Sequence, residues 1–246
     1  MATPSNLSAK PIAPDERLIF ALDVPGLDEG KRWVERLGDS VGFYKLGLQF
    51  LMTGQYFEMV DWLDDQGKKV FADVKFYDIP ETVRLAVEQL QRRKVEFTTV
   101  HGNDSMLEAA ASAKGHLKVL AVTVLTSLDR DDLADLGYPG NPEDLVLSRA
   151  RRAIELGCDG VIASGLEAPR LRAELGADFL IVSPGIRAAE SRPADDQKRT
   201  LGVEDAFLGG ADYIVVGRPI RQAQDPRAKA EEMQAKIAGL FKAPAC

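Results

Sequence analysis

The sequence predicts a single (β/α)8 barrel of the α/β class, and three observations support this. Its 246 residues are 45% hydrophobic, which is enough for one sizeable core. Eight short apolar runs alternate with segments that have the pattern of amphipathic helices. Polar residues interrupt these runs at their carboxyl ends, where such barrels carry their sites. We expect a flexible tail at 1–15, the barrel at 16–240 and a second tail at 241–246.

The eight apolar runs are the predicted strands. Their nearly continuous Val, Ile and Leu content is typical of strands that are buried on both faces, as in a parallel sheet. In chain order they are RLIFALDV (17–24), VGFYKLG (41–47), KVFADVKF (69–76), VEFTTVHG (95–102), LKVLAVTVLTS (117–127), CDGVIASG (158–165), DFLIVSPG (178–185) and DYIVVGRP (212–219).

The segments between the runs predict helices. In PETVRLAVEQLQRRK, apolar residues recur at i, i+3, i+4 and i+7 from Val83, and Pro80 suits the first turn. Gly157 and Gly176 stand where the left-handed backbone that ends a helix is expected. A Rossmann-type sheet is the alternative fold, but no G-x-G-x-x-G follows a strand.

Composition narrows the function classes. The net charge of −7 and the pI near 5.1 argue against nucleic-acid binding. Cys158 and Cys246 lie far apart, so we expect neither a disulfide framework nor a thiolate metal site, and a cytoplasmic location fits. The amino-terminal stretch is polar and proline-rich, and no apolar run approaches about 18 residues, so we expect no association with a membrane.

The third run ends in ADVKFYDIPET, which brings Asp73, Lys75 and Asp78 to the end of an apolar strand. On a regular strand Asp73 and Lys75 face the same side, with α-carbons roughly 7 Å apart. The direction of Asp78 is open, because it lies beyond the strand. A lysine between two carboxylates stays protonated and can donate a proton. The alternative is a rim of salt bridges that only caps the barrel.

The order of several motifs resembles the orotidine 5′-monophosphate decarboxylase family. The resemblance runs from about residue 18 to residue 226 and is carried by LDV with Asp23, KLG with Lys45, DVKFYDIPET, VTVLTS, PGIR, DQKR and VVGRPI. It implies a (β/α)8 homodimer that converts orotidine 5′-monophosphate to uridine 5′-monophosphate and carbon dioxide. It also implies that the reaction uses neither a metal nor an organic cofactor.

The resemblance implies roles for four charged residues. Lys75 is the implied proton donor to C6 of the substrate, and Asp73 is implied beside the leaving carboxylate. Asp78 would come from the partner subunit and complete an Asp/Lys network that includes Lys45. A carboxylate beside the substrate carboxylate is unfavourable until carbon dioxide leaves, so this arrangement favours the transition state.

Further residues are implied to bind the substrate. Asp23, Lys45 and Thr82 would contact the ribose. Thr126, at the end of the fifth run, is preferred over Ser127 as the partner of the pyrimidine ring. A hydroxyl at a strand end that is bonded only to backbone remains the alternative.

Two glycine-containing turns predict the phosphate site. SPGIR (183–187) and VVGRP (215–219) follow the last two strands, where such barrels often bind phosphate. Glycine permits close backbone approach, and arginine offers a forked donor to phosphate oxygens. We expect Arg187, Gly217 and Arg218 to bind phosphate, and Gln197 joins them by resemblance. Ordinary turns with exposed arginines are the alternative.

The polar segment between Ile186 and Gly202 is too long for an ordinary barrel connection and is predicted to be a lid, 186–202. Two residues in the chain depart from the family pattern. Ala188 stands where family members often carry proline, and Tyr77 replaces a common histidine. Neither departure affects a candidate catalytic charge.

Other residues are weaker candidates for a functional role. His101 is interpreted as a packing residue, and residues 149–156 as a solvated helix face. Magnesium-dependent sugar-phosphate decarboxylases share a similar Asp-x-Lys-x-x-Asp, but Ile-Pro-x-Thr, Gln197 and the predicted lid favour the nucleotide enzyme. A nucleotide-binding protein without activity is the non-enzymatic alternative, and the charged pair Asp73 and Lys75 argues against it.

Overall fold

The computed structural model describes residues 6–186 and 201–241. Within them, parallel strands β1 to β8 pair in chain order, and β8 closes on β1. The (β/α)8 prediction is therefore confirmed, and the Rossmann alternative is wrong. The strands are β1 Leu18–Ala21, β2 Phe43–Leu46, β3 Lys69–Phe76, β4 Phe97–Val100, β5 Lys118–Val122, β6 Gly160–Ile162, β7 Leu180–Ser183 and β8 Tyr213–Val216.

Helices follow the strands around the barrel. As predicted, Pro80 opens α4, and the backbone turns left-handed at Gly157 (φ 89°) and Gly176 (φ 81°). In the described part of the chain, no helix combines the length and apolar character needed to cross a bilayer. The helices are α1 Leu27–Leu37, α2 Leu48–Leu51, α3 Tyr56–Asp65, α4 Pro80–Leu90, α5 Asp104–Ser112, α6 Arg130–Asp135, α7 Pro142–Glu155, α8 Ala168–Leu175, α9 Val203–Leu208, α10 Arg218–Arg221 and α11 Pro226–Phe241, with 3-10 turns at Pro14–Glu16 and Gly38–Ser40.

The apolar core has two layers. The larger layer lies between the sheet and the helices. The smaller one fills the barrel interior and includes Ala21, Phe43 and Phe71. Because strand side chains alternate between the two faces, the next inward positions along β1, β2 and β3 are Asp23, Lys45 and Asp73. Strand parity thus directs three charged side chains to the mouth of the barrel.

The segment before β1 lies against the opposite end of the barrel. Ile12 packs on the interior layer. The fully buried carboxylate of Asp212, just before β8, accepts hydrogen bonds from Ser8 Oγ at 2.5 Å, Lys10 Nζ at 3.1 Å and Arg172 Nη2 at 2.6 Å. Residues 8–12 therefore cover the amino-terminal ends of the strands. The domain boundaries at 16 and 240 stay predictions.

Candidate active site

A cleft of about 570 Å³ opens at the carboxyl ends of the strands. This is the end at which (β/α)8 barrels carry their sites. Seven residues that the sequence predicts to be functional line it: Asp23, Lys45, Asp73, Lys75, Thr126, Gly217 and Arg218.

Four of these residues form a chain of alternating charge. Lys45 Nζ lies 3.6 Å from Asp23 Oδ1 and 3.3 Å from Asp73 Oδ2. Lys75 Nζ donates to the other oxygen, Asp73 Oδ1, at 2.7 Å. The side chains of Lys45 and Asp73 are 13% exposed, whereas that of Lys75 is 33% exposed. The chain therefore runs from a buried centre to an ammonium that faces the cleft.

The two central charges hold each other ionised. Burial alone would lower the pKa of the Lys45 ammonium, but Asp73 and Asp23 outweigh it and raise that pKa. Burial alone would raise the pKa of the Asp73 carboxyl, but Lys45, Lys75 and a hydrogen bond from Thr99 bring it below its usual value. Both side chains are therefore charged at neutral pH, and together they maintain the electrostatic field at the cleft.

The backbone between Asp73 and Lys75 is not a regular strand. Ala72 pairs with Thr98 and Phe76 pairs with Val100. Between these two pairs β3 advances by four residues, whereas β4 advances by two. Lys75 has φ 50°, which makes it the one non-glycine residue with positive φ in the described part of the chain. Such a conformation costs about 1–3 kcal/mol and concentrates at functional sites. The predicted meeting of the two side chains thus occurs through a bulge and not through simple strand parity.

Thr99 is a site residue that the sequence interpretation missed. Its side chain is fully buried, its Oγ1 donates to Asp73 Oδ1 at 2.9 Å, and it accepts from the Lys75 amide at 2.9 Å. Inward parity with Phe97 on β4 was a signal that could have identified it.

The side of the cleft next to β7 and β8 is built from the two predicted glycine turns. Pro184, Gly185 and Ile186 follow β7, and Gly217 and Arg218 follow β8. At Gly217, an added Cβ would lie 3.3 Å from the Cβ of Ala21, so the backbone there passes close to β1.

Arg221 also lines the cleft and was not predicted. Its Nη1 donates to the carbonyl oxygen of Asp23. It therefore links α10 to the strand end that carries Asp23.

Part of the predicted phosphate set lies outside the described residues. This applies to Arg187 and Gln197 and to residues 187–200 of the predicted lid. The two flanks of that segment lie side by side, because Ile186 and Leu201 form a parallel bridge.

Comparison with known proteins agrees with the motifs at the cleft. The profile of the Orotidine 5′-phosphate decarboxylase / HUMPS family matches residues 16–233. The chain belongs to this family. The protein named orotidine 5′-phosphate decarboxylase in Methylococcus capsulatus is 59% identical over 98% of this chain and 99% of its own length. The one of that name in Xanthomonas euvesicatoria is 54% identical over 92% and 94%.

A solved structure of the family agrees in fold. The crystal structure of orotidine 5′-phosphate decarboxylase from Lactobacillus acidophilus superposes with a TM-score of 0.80 at 34% identity. The match covers 91% of this chain and 99% of that one. The closed barrel of this chain is therefore a fold that it shares with that decarboxylase.

Two residues of the family motif lie away from the cleft of a single chain. Asp78 is exposed, and its Oδ1 accepts from the Ile79 amide at 2.7 Å. Thr82 is also exposed, in the first turn of α4. Tyr77 is 67% and Ile79 66% exposed, so Asp78 stands in the sequence between two large exposed side chains. The roles of Asp78 and Thr82 stay predictions.

His101 and Arg149 lie beside the site without lining the cleft. The imidazole of His101 packs against Tyr77, with ring centroids 5.7 Å apart. Burial, followed by the charges of Arg149 and Lys75, lowers the pKa of His101, so the ring is neutral at pH 7. Arg149 Nη1 donates to the Thr123 carbonyl at 2.6 Å. Arg149 is thus anchored to the end of β5 and is not part of a solvated face.

The carboxylates of the site face lysines and not a metal-binding cluster in the described part of the chain. Within residues 6–186 and 201–241, no group of three or more His, Cys, Asp or Glu residues is arranged to hold an ion. The carboxylates of Asp23 and Asp73 are instead bridged by the Lys45 ammonium.

Proposed function

We propose that this chain decarboxylates orotidine 5′-monophosphate to uridine 5′-monophosphate and carbon dioxide in pyrimidine biosynthesis. The observation that carries the proposal is the alternating chain Asp23–Lys45–Asp73–Lys75, which ends in an ammonium at the cleft. The names of the relatives at 54% and 59% identity support the same reaction.

Asp73 and Lys75 act on the two ends of the bond that breaks. The substrate carboxylate lies beside the ionised carboxylate of Asp73, and their repulsion ends when carbon dioxide leaves. The electron pair of the broken bond stays on C6, where the Lys75 ammonium stabilises it and then donates a proton. Uridine 5′-monophosphate results, and the neutral Lys75 regains its proton from solvent. The site therefore stabilises the transition state more than the bound substrate.

Lys45 keeps the field in place between turnovers. It neutralises part of the charge of Asp73 and Asp23 from the buried side, 3.3 Å and 3.6 Å away. Side chains that are already oriented need no rearrangement as charge moves in the reaction, which is the main source of electrostatic catalysis. The Asp23 side chain, 39% exposed at the outer end of this chain, is then available to the ribose.

The phosphate is proposed to bind at the turns that follow β7 and β8. Gly185 and Gly217 offer close backbone approach, and Arg218 brings a guanidinium to the same wall. The proposed set also contains Arg187 and Gln197. Thr126 lines the cleft from the segment after β5 and is proposed to contact the pyrimidine ring.

The active form is proposed to be a homodimer in which Asp78 completes the charge network of the partner. Tyr77 and Ile79, each about two thirds exposed, flank Asp78, and Leu48 and Met52 after β2 are 53% and 76% exposed. Large exposed apolar side chains of this kind are candidates for an interaction surface. Asp78, which Tyr77 and Ile79 flank, would then reach a second copy, and Thr82 follows in the first turn of α4.

Mixed dimers test this arrangement. The inactive variants Lys75→Ala and Asp78→Asn should recover activity when combined, because one of the two sites in a mixed dimer has both wild-type residues. Random subunit exchange should give about one quarter of wild-type activity. Exchange is verified with subunits that carry different affinity tags. Lack of recovery in verified mixed dimers would place both residues in one chain's site.

The reaction is proposed to need neither a metal nor an organic cofactor, because the charges it requires are side chains of this chain. A cytoplasmic location is part of the same proposal. Cys158 is buried and is a free thiol, in agreement with a reducing compartment.

The deciding experiment follows the ultraviolet loss of orotidine 5′-monophosphate with purified protein and EDTA. Continued turnover in EDTA, with uridine 5′-monophosphate as product, is the expected result. Loss of activity in EDTA with recovery in magnesium would favour the sugar-phosphate enzymes of the same family. Binding of the nucleotide without turnover would favour the non-enzymatic alternative.

A further inference from the structure

The hydroxyl of Thr99 connects the backbone of Lys75 with the side chain of Asp73. It lies on β4, is completely buried, and has two hydrogen bonds of 2.9 Å. Both partners belong to the charged end of β3. Thr99 does not line the cleft itself, so any effect on the reaction must act through these partners.

The directions of the two bonds are fixed by chemistry. The Lys75 amide can only donate, so the hydroxyl oxygen accepts there. The single hydroxyl proton is then left for Asp73 Oδ1, and the ionised carboxylate can only accept. The hydroxyl therefore accepts a hydrogen bond from the Lys75 backbone and donates one to the Asp73 carboxylate.

The backbone of Lys75 needs such a partner. The bulge between Ala72 and Phe76 takes the Lys75 amide out of the regular ladder with β4. Lys75 has a φ of 50°. A residue other than glycine keeps such a left-handed backbone only when its surroundings stabilise it. The hydrogen bond to Thr99 satisfies the displaced amide while the backbone stays left-handed.

We propose that Thr99 is a positioning residue for the decarboxylation. Its hydroxyl holds the left-handed backbone of Lys75 and the carboxylate of Asp73 in one arrangement, so that the ammonium points into the cleft. This inference rests on the proposed function and adds a residue to it. Thr99→Val removes the hydroxyl at nearly constant shape, and Thr99→Ser keeps it.

The neighbouring Thr98 provides a matched control. It is also a fully buried threonine of β4, and its Oγ1 donates to the Ala72 carbonyl at 3.0 Å. It points to the helix layer, because neighbouring residues on a strand face opposite sides. Thr98→Val therefore removes a buried hydroxyl from the same strand without touching the charge network.

The first measurement compares steady-state kinetics of the three variants. Thr99→Val should lower kcat about 10- to 100-fold and change KM less than about 3-fold, because a small displacement of a reacting group is costly. Thr99→Ser and Thr98→Val should keep kcat within about 3-fold of wild type. The acid limb of the kcat profile of Thr99→Val should move to higher pH, because Asp73 loses a donor that lowers its pKa.

The second measurement does not depend on activity. Amide hydrogen exchange of Lys75, followed by NMR, should be at least about 10-fold faster in Thr99→Val than in wild type or Thr98→Val. Equal kcat and equal Lys75 exchange in Thr99→Val and Thr98→Val would overturn the positioning role while the proposed function stands. A wild-type protein that does not decarboxylate the nucleotide would instead overturn the proposed function.

Discussion

The two ends of the barrel both carry ion pairs, but they use them differently. At the amino-terminal end, the carboxylate of Asp212 is fully buried and accepts from Ser8, Lys10 and Arg172 as well as from the Ile181 amide. At the carboxyl end, Asp73 is surrounded by cations in a similar way, yet the last of them, Lys75, remains 33% exposed in a cleft.

The difference lies in what completes each cluster. The Asp212 cluster is completed by the protein itself, since residues 8–12 cover it. The Lys75 end of the other cluster has room for a charged ligand. A buried cluster whose charges are all paired within the protein stabilises one conformation. A cluster that ends in a partly exposed charge at a cleft can instead act electrostatically on a ligand. Variants at the two ends should therefore separate activity from stability.

The largest effect is expected for Lys75→Ala. Loss of the proposed proton donor, and with it of the proposed charge near C6, should reduce kcat about 10⁴-fold or more, while uridine 5′-monophosphate still binds measurably by calorimetry. The control is Lys69→Ala at the other end of β3. Its ammonium pairs with Glu16 at 2.7 Å and is 39% exposed, close to the exposure of Lys75. Near-normal turnover of Lys75→Ala would remove this lysine from the mechanism.

The next largest effect is expected for Asp212→Asn, and it concerns stability. Removing the charge leaves Arg172 and Lys10 without their buried counter-ion and should lower the free energy of unfolding by about 3 kcal/mol. Urea denaturation measures this loss, and kcat below the transition should stay within about 3-fold of wild type. The control is Asp39→Asn, which removes an exposed carboxylate 3.7 Å from Lys68 and should leave the free energy of unfolding unchanged. Unchanged stability of Asp212→Asn would contradict the structural role of the cluster.

A smaller effect is expected for Arg218→Ala, on the side of the cleft where we propose that the phosphate binds. Loss of a charged hydrogen bond should weaken uridine 5′-monophosphate binding about 10- to 100-fold. Uridine, which lacks the phosphate, is the matched control ligand, and its affinity should be unchanged. An equal loss for both ligands would assign Arg218 to the nucleoside instead.

The smallest effect is expected in the pH dependence of stability. Because the pKa of Asp73 is lower in the folded chain than its ordinary 3.8, ionised Asp73 stabilises the fold above that pH. This contribution is lost as the pH falls through the folded-state pKa. The difference in unfolding free energy between wild type and Asp73→Asn should therefore change in favour of the variant below about pH 4. A difference that is constant from pH 3 to pH 7 would contradict the charge network.

The fold could be predicted from sequence because each strand has a local signal. All eight predicted runs contain an observed strand, from Leu18–Ala21 to Tyr213–Val216. The boundaries were less accurate where polar residues continue an apolar run. The run 117–127 contains β5, which ends at Val122. Thr126 lies beyond it and lines the cleft.

The site could be predicted only in part. Asp23, Lys45 and Asp73 follow inward-facing apolar residues, so their convergence was readable from alternation. The left-handed backbone of Lys75 was not, because a residue type other than glycine gives no sign of it. The contact of residues 8–10 with Asp212 was equally hidden, since it joins positions about 200 residues apart along the chain.

The left-handed backbone at Lys75 decides which variant suits an experiment in which an added amine replaces the lysine side chain and restores activity. Glycine is the replacement that adopts φ 50° without strain, and it also leaves the largest vacancy where the lysine side chain was. Lys75→Gly, rather than Lys75→Ala, is therefore the background in which a small alkylammonium ion can take the place of the missing side chain. A turnover restored by the added ion would separate the contribution of the charge from that of its covalent tether.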